Sequence, residues 1–219
     1  MDNFEYRRDR FDLFNRYDNP LINIGFELEL VDFRPFCKAS GLPPFHVFQF
    51  CLLTAVQGID NFLYRILDGE VIKIDEFLAS YTVINKDNNL NYASFTMSQD
   101  LREFVARSLA AGAVARETRA LMNDTASFTP RERKNNIYTT CLPWLRLTSI
   151  EHPVYRMGEA DIPVIAWGRF SDPRPDGRMS VPFSVQAHHG FVDGFHIQQL
   201  AQALQQRVAD LLASSLHGA

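Results

Sequence analysis

The sequence predicts an α/β (α+β) two-layer sandwich, in which helices cover a mixed sheet. Three observations predict it. Apolar and polar residues alternate from Leu21 to Val31, as in a half-buried strand. From Phe195 to about Leu212, Ile197, Leu200, Ala201, Leu204, Val208 and Leu211 share one helical face. Between these ends, strand-like and helical segments interleave along the chain rather than falling into separate blocks.

In chain order, Arg7 to Tyr17 reads as a short amphipathic helix, closed by Asp18-Asn19-Pro20 because proline disfavours helical geometry in the residue before it. After the Leu21–Val31 strand, Gly41-Leu42-Pro43-Pro44 marks a loop and helix start, and Phe45 to Leu67 reads as one long apolar helix. Asp68-Gly69 signals a tight turn, followed by strand-like Val71–Ile74 and Ser80–Asn85. Ser98 is an N-cap candidate for a helix carrying Leu101, Phe104, Val105, Leu109 and Val114. Ile137–Leu142 is a further apolar stretch. Ile162–Phe170 and Met179–Ala187 read as strands joined by the breaker-rich loop Ser171–Arg178.

At 219 residues the chain is expected to form a single domain spanning 1–219. Hydrophobic residues make up 46% and charged residues 22%, a globular composition that excludes a disordered or fibrous class. Eighteen phenylalanines exceed the usual share and suit both a core and an apolar pocket. The net charge of −4, with no run of Lys or Arg, argues against nucleic acid as a partner. No eighteen apolar residues run together and the N-terminus has no apolar leader, so no membrane span and a cytoplasmic location are expected. Cys37, Cys51 and Cys141 lack CxxC spacing and read as buried small hydrophobes.

The segment Ser184–His196 carries the chemistry. A histidine at the end of a buried strand is held by the sheet and can accept a proton near neutral pH. The aspartate four residues after His189, followed by Gly194, is placed to fix the turn into the last helix through a charge pair. His188, His189, Asp193 and His196 do not read as metal ligands, because adjacent strand residues point to opposite faces.

The spacing His188-His189-x-x-x-Asp193-Gly194, within Val185–Phe195, resembles the signature of the chloramphenicol acetyltransferase family. The resemblance extends from Arg7 to the C-terminal helix through Leu67–Val71, Tyr92–Phe95 and Leu142-Pro143-Trp144. Dihydrolipoyl acyltransferase cores and peptide-synthetase condensation domains carry related motifs, so the motif alone indicates a CoA-dependent acyltransferase-like fold. The terminal segments and the lack of a lipoyl module or Pro/Ala-rich linker favour the antibiotic-modifying branch.

The resemblance implies a homotrimer with active sites between subunits. It also implies acetyl-CoA as co-substrate, no metal, and transfer to a small hydroxyl acceptor, with chloramphenicol, and hence antibiotic resistance, as the leading expectation. By the same resemblance His189 is the general base and His188 structural. Asp193 pairs with Arg7, Thr140 stands where the family has its oxyanion-donating serine, and Trp144 lines the CoA channel. Five positions bear on the acceptor. Phe14 replaces a tyrosine that hydrogen-bonds chloramphenicol, Ala166 a threonine that holds a water, and His152 a leucine; Tyr92 and Phe128 keep aromatic bulk. Two alternatives stay open: transfer to another small apolar alcohol, and a relative that binds ligand without turnover.

Overall fold

A computed structural model describes residues 3–122, 128–154 and 160–216. A 3₁₀ turn, Asn3–Arg7, leads into α1 (Arg8–Phe14), which stops short of the expected Tyr17. The chain continues through β1 (Leu21–Val31), α2 (Phe33–Ser40), α3 (Pro44–Gln57), β2 (Tyr64–Leu67), β3 (Glu70–Lys73), β4 (Leu78–Ile84), β5 (Leu90–Thr96) and α4 (Leu101–Glu117). Then follow α5 (Pro130–Lys134), β6 (Asn136–Cys141), β7 (Val164–Trp167), β8 (Arg178–His188) and α6 (Gly194–Leu216).

The six-stranded sheet has the order β1-β8-β7-β6-β4-β5. The two pairs around β6 are parallel and the others antiparallel, so the sheet is mixed as expected. Helices α6, α3 and α4 lie side by side over one face, against β1, β6 and β5 respectively. Between the layers sit Met179, Val181, Phe183, Val185, Ile165, Trp167, Ile137 and Tyr81, the inward residues of successive strands. Phenylalanines fill much of this space: Phe48 packs against Trp167, Phe170, Phe183 and Phe33. The three cysteines are free thiols whose pKa burial pushes up to about 12, which leaves them protonated packing groups.

The expected helix Phe45–Leu67 is instead a helix, a 3₁₀ turn at Asp60–Phe62 and the strand β2. Helix α3 buries residues on every side, so its apolar residues carry no period that changes where the helix ends. The expected turn comes after that strand: Asp68 and Gly69 both have positive φ, 53° and 83°, and join β2 to β3. Asp100, rather than Ser98, caps α4 by accepting from Glu103 N–H at 2.8 Å. Ser98 supports that cap, accepting from Asp100 N–H and donating to Glu103.

A buried polar relay ties the helices to the sheet. Thr139 on β6 donates to Ser80 O at 2.8 Å and accepts from Gln49 Nε2 at 3.0 Å; Ser108 donates to Gln49 Oε1 at 3.4 Å. With the Ser108 hydrogen committed, His46 Nδ1 must carry the proton in its 2.8 Å bond to Ser108 Oγ. Each link has a partner, so the relay fixes α3 and α4 over β6 and with them the strand that carries Thr140.

Candidate active site

Strand β8 ends where β1 begins, with His188 opposite Leu21. One residue on, His189 N–H donates to Pro20 O at 2.7 Å, which extends the pairing and fixes the His189 backbone. The chain then turns, Phe191 N–H and Val192 N–H both donating to His188 O at 2.9 Å. Gly190 is required in this turn: a Cβ there would lie 2.9 Å from Phe11 Cα and 3.0 Å from the His188 ring. Without a side chain at 190, α1 can rest directly on the turn.

The His189 ring is held at two points. Its Nδ1 lies 3.1 Å from Val192 O, and since a carbonyl only accepts, Nδ1 carries the proton and Nε2 keeps its lone pair. The Phe14 ring stacks on the imidazole with centroids 3.9 Å apart and planes inclined by 28°. Phe14 thus touches the imidazole itself, a contact that helix spacing alone does not reveal. His189 is half-buried.

Arg7 fastens the turn. Its Nη1 pairs with Asp193 Oδ2 at 2.9 Å, its Nε donates to Gly190 O at 3.2 Å and its Nη2 to His189 O at 3.3 Å. Asp193 also accepts from Phe195 N–H at 3.0 Å, capping the first turn of α6, and lies 2.9 Å from His196 Nδ1. Burial raises the Asp193 pKa, but the Arg7 bond and the His196 charge outweigh it and hold the carboxyl below its ordinary value. Asp193 makes no contact with the His189 ring nitrogens, so it shapes the turn and carries no proton for them.

His188 is fully enclosed. Its Nδ1 accepts from Gly190 N–H at 3.1 Å and its ring packs against Phe11 and Phe191, 5.6 and 5.0 Å away. Burial, and then the neighbouring His189, depress its pKa to about 4; burial, and then Arg116, do the same for His46. A histidine kept neutral inside the fold protonates more readily once unfolded. Its stabilising contribution is therefore complete above pH 6.5 and is lost between pH 6.5 and about 4. Each such shift corresponds to roughly 3 kcal/mol. The melting temperature is expected to fall steeply across that window, as a calorimetric pH series would show, and a flat profile would contradict neutral burial of these rings.

Four of the remaining candidates, Thr140, Ala166, Tyr92 and His152, lie on or against the sheet face turned away from the helices. Thr140 is opposite Ala166, and Ala166 opposite Ser184. Thr140 is half-buried, whereas Ala166 has no exposed surface. His152 crosses this face: its N–H donates to Gln186 Oε1 at 3.0 Å and its carbonyl accepts from Gln186 Nε2 at 3.3 Å. The His152 ring loses basicity through burial, and its Nε2 has no hydrogen-bond partner. Tyr92 projects from β5 on the same face. Trp144 follows β6 with 58% of its surface exposed. Phe128 lines a cleft of about 460 Å³ at the ends of β4 and β5, with Leu78, Thr96, Phe77, Met97 and Glu132. Among the described residues no group of three or more His, Cys, Asp or Glu side chains is arranged to hold a metal.

Two clusters therefore emerge within one chain. His189, Phe14, Arg7 and Asp193 form one; Thr140, Ala166, Tyr92 and His152 belong to the other. Thr140 lies two strands across and five residues along from His189, a Cα separation of about 19 Å that neither side chain can bridge.

The family model for chloramphenicol acetyltransferase matches residues 2–205. The chain belongs to that family. It is 24% identical over 206 residues to chloramphenicol acetyltransferase 3 of Escherichia coli, covering 91% of each chain. It is also 24% identical to chloramphenicol acetyltransferase 2 of Haemophilus influenzae, covering 94% of each. Among solved structures, a chloramphenicol acetyltransferase superposes with a TM-score of 0.81 at 24% identity, covering 92% of this chain and 94% of that one. A dihydrolipoamide acetyltransferase from Azotobacter vinelandii gives 0.65 at 15% identity, covering 95% and 88%. The sheet and helix layers are thus those of the CoA-dependent acyltransferase fold, and the protein is an acyltransferase. The family takes acetyl-CoA as its co-substrate. No single helix among the described residues is long and apolar enough to cross a membrane.

Proposed function

We propose that the protein is an acetyl-CoA-dependent O-acetyltransferase that transfers directly to a small hydroxyl acceptor, with His189 as general base. The observation that carries this reading is the His189 ring, committed through Nδ1 to Val192 O and stacked on Phe14, with Nε2 left to take a proton. Nε2 takes the hydroxyl proton as the acceptor oxygen attacks the thioester carbonyl. The tetrahedral oxyanion accepts a hydrogen bond from Thr140 Oγ1, and its collapse expels CoA thiolate, which recovers the proton from the imidazolium. Arg7 and Asp193 hold the turn that aims the ring.

The separation between His189 and Thr140 supports a site shared by two protomers, with the imidazole from one and the threonine from its neighbour; the family resemblance makes that assembly a homotrimer. Exposed Trp144 suits a CoA channel at that boundary. Chloramphenicol is named as the substrate of the relatives and is the first acceptor to assay. Thiol release from acetyl-CoA tests the reading: acceptor-dependent release is expected, and none with any alcohol would leave a protein that binds ligand without turnover.

A further inference from the structure

The sheet face that carries Thr140 also carries a row of other hydroxyl side chains. Ser80 on β4 is opposite Tyr138 on β6 and Ser94 on β5, and Tyr138 is opposite Val164 on β7. Tyr92 and Ser94 alternate onto the same face of β5. Hydroxyls therefore run from Thr140 to Tyr138, roughly 7 Å along β6, and then across two strands to Ser94, roughly 10 Å more. Ser80 and Ser94 share one hydrogen bond at 3.0 Å, while Thr140, Tyr138 and Tyr92 make no side-chain hydrogen bond among the described residues. Burial, and then the neighbouring Tyr92 phenol, raise the Tyr138 pKa, so that hydroxyl stays a donor. Half-buried Val164 separates Tyr138 from Gln186, which clips the backbone of His152, whose ring nitrogen is unpartnered. No position on this face of β4, β5, β6 or β7 holds a charged residue.

We infer that the acceptor is an uncharged polyhydroxy alcohol, whose reacting hydroxyl lies by Thr140 while its other hydroxyls bond to Tyr138, Ser94 and Tyr92. An apolar acceptor covering this row would leave several hydroxyls without partners, at a cost in binding. The strand side chains of this face offer an ammonium or phosphate group no counter-charge. The inference rests on the acetyl-transfer reading and specifies its substrate.

The test compares thiol release from acetyl-CoA with two probes, methyl glucoside and 2-phenylethanol, using the wild type, Tyr138→Phe and Ser94→Ala. Methyl glucoside is expected to give the higher kcat/KM. Each variant is expected to lower the glucoside-to-phenylethanol ratio of kcat/KM by about three- to tenfold, the effect of one hydrogen bond. Tyr138→Phe keeps the ring, and circular dichroism checks that each variant is folded. A ratio unchanged in both variants, or a wild-type preference for phenylethanol, would overturn the inference while leaving the acetyl-transfer reading intact. No release with either probe or with chloramphenicol would overturn both.

Discussion

Replacing His189 with alanine is expected to lower kcat by about 10²- to 10⁴-fold, the usual contribution of a positioned general base. The loss should fall on the chemical step, because the ring that Phe14 and Val192 O hold is not part of the expected CoA channel at Trp144. Acetyl-CoA affinity, measured by calorimetry, should therefore stay close to wild type. Fold is expected to persist as well: His189 is half-buried, and the turn around it is held by Pro20 O, His188 O and the three contacts of Arg7. A variant that keeps near-normal kcat would remove the base assignment.

The largest loss of stability is expected from Asp161→Ala, far from the motif. The Asp161 side chain is fully buried; both its oxygens lie 2.9 Å from Lys134 Nζ, and one accepts from Ile66 N–H. Beside it lies Arg65, also fully buried, whose guanidinium donates to the carbonyls of Lys134, Phe62, Tyr64 and Asn136. Removing the carboxylate leaves fully buried Arg65 and largely buried Lys134 without a counter-charge, which costs about 3–5 kcal/mol. This cluster joins β2, the end of α5 and the approach to β7 where β6 begins, so it positions the strand that presents Tyr138 and Thr140. Denaturant unfolding measures the loss, and a change under about 1 kcal/mol would show the charges to be solvated.

How far the fold was legible depended on whether residues carry a period. Strand β1, with one side on the core, alternates and could be read to its ends. Helix α3, apolar all round, could not, and it hid the strand β2 behind it. Helix α2 escaped notice because it is eight residues long, buries only Phe33 and Cys37 and contains Pro35.

At the site, the His-His-x-x-x-Asp-Gly spacing marked the turn, and the Arg7–Asp193 pair formed where it was expected. The Phe14 stack and the Val192 carbonyl were not legible, since both depend on how α1 meets the end of β8. Gly190 is the local signal of the close approach of α1, since a glycine between a strand end and a turn marks close backbone contact. The distance from His189 to Thr140 came only with the sheet register, which no local pattern encodes.

That distance makes a shared site the central claim, and mixed assembly tests it most directly. Chains carrying His189→Ala and chains carrying Thr140→Ala are each expected to be nearly inactive when assembled only with their own kind. When equal amounts are co-expressed, random assembly pairs an intact imidazole with an intact threonine at about one quarter of the protomer boundaries. Thiol release from acetyl-CoA should then recover to roughly a quarter of the wild-type rate per site. A co-expressed mixture no more active than the mean of its two parents would mean that each protomer works with its own residues, and the shared site would have to be abandoned.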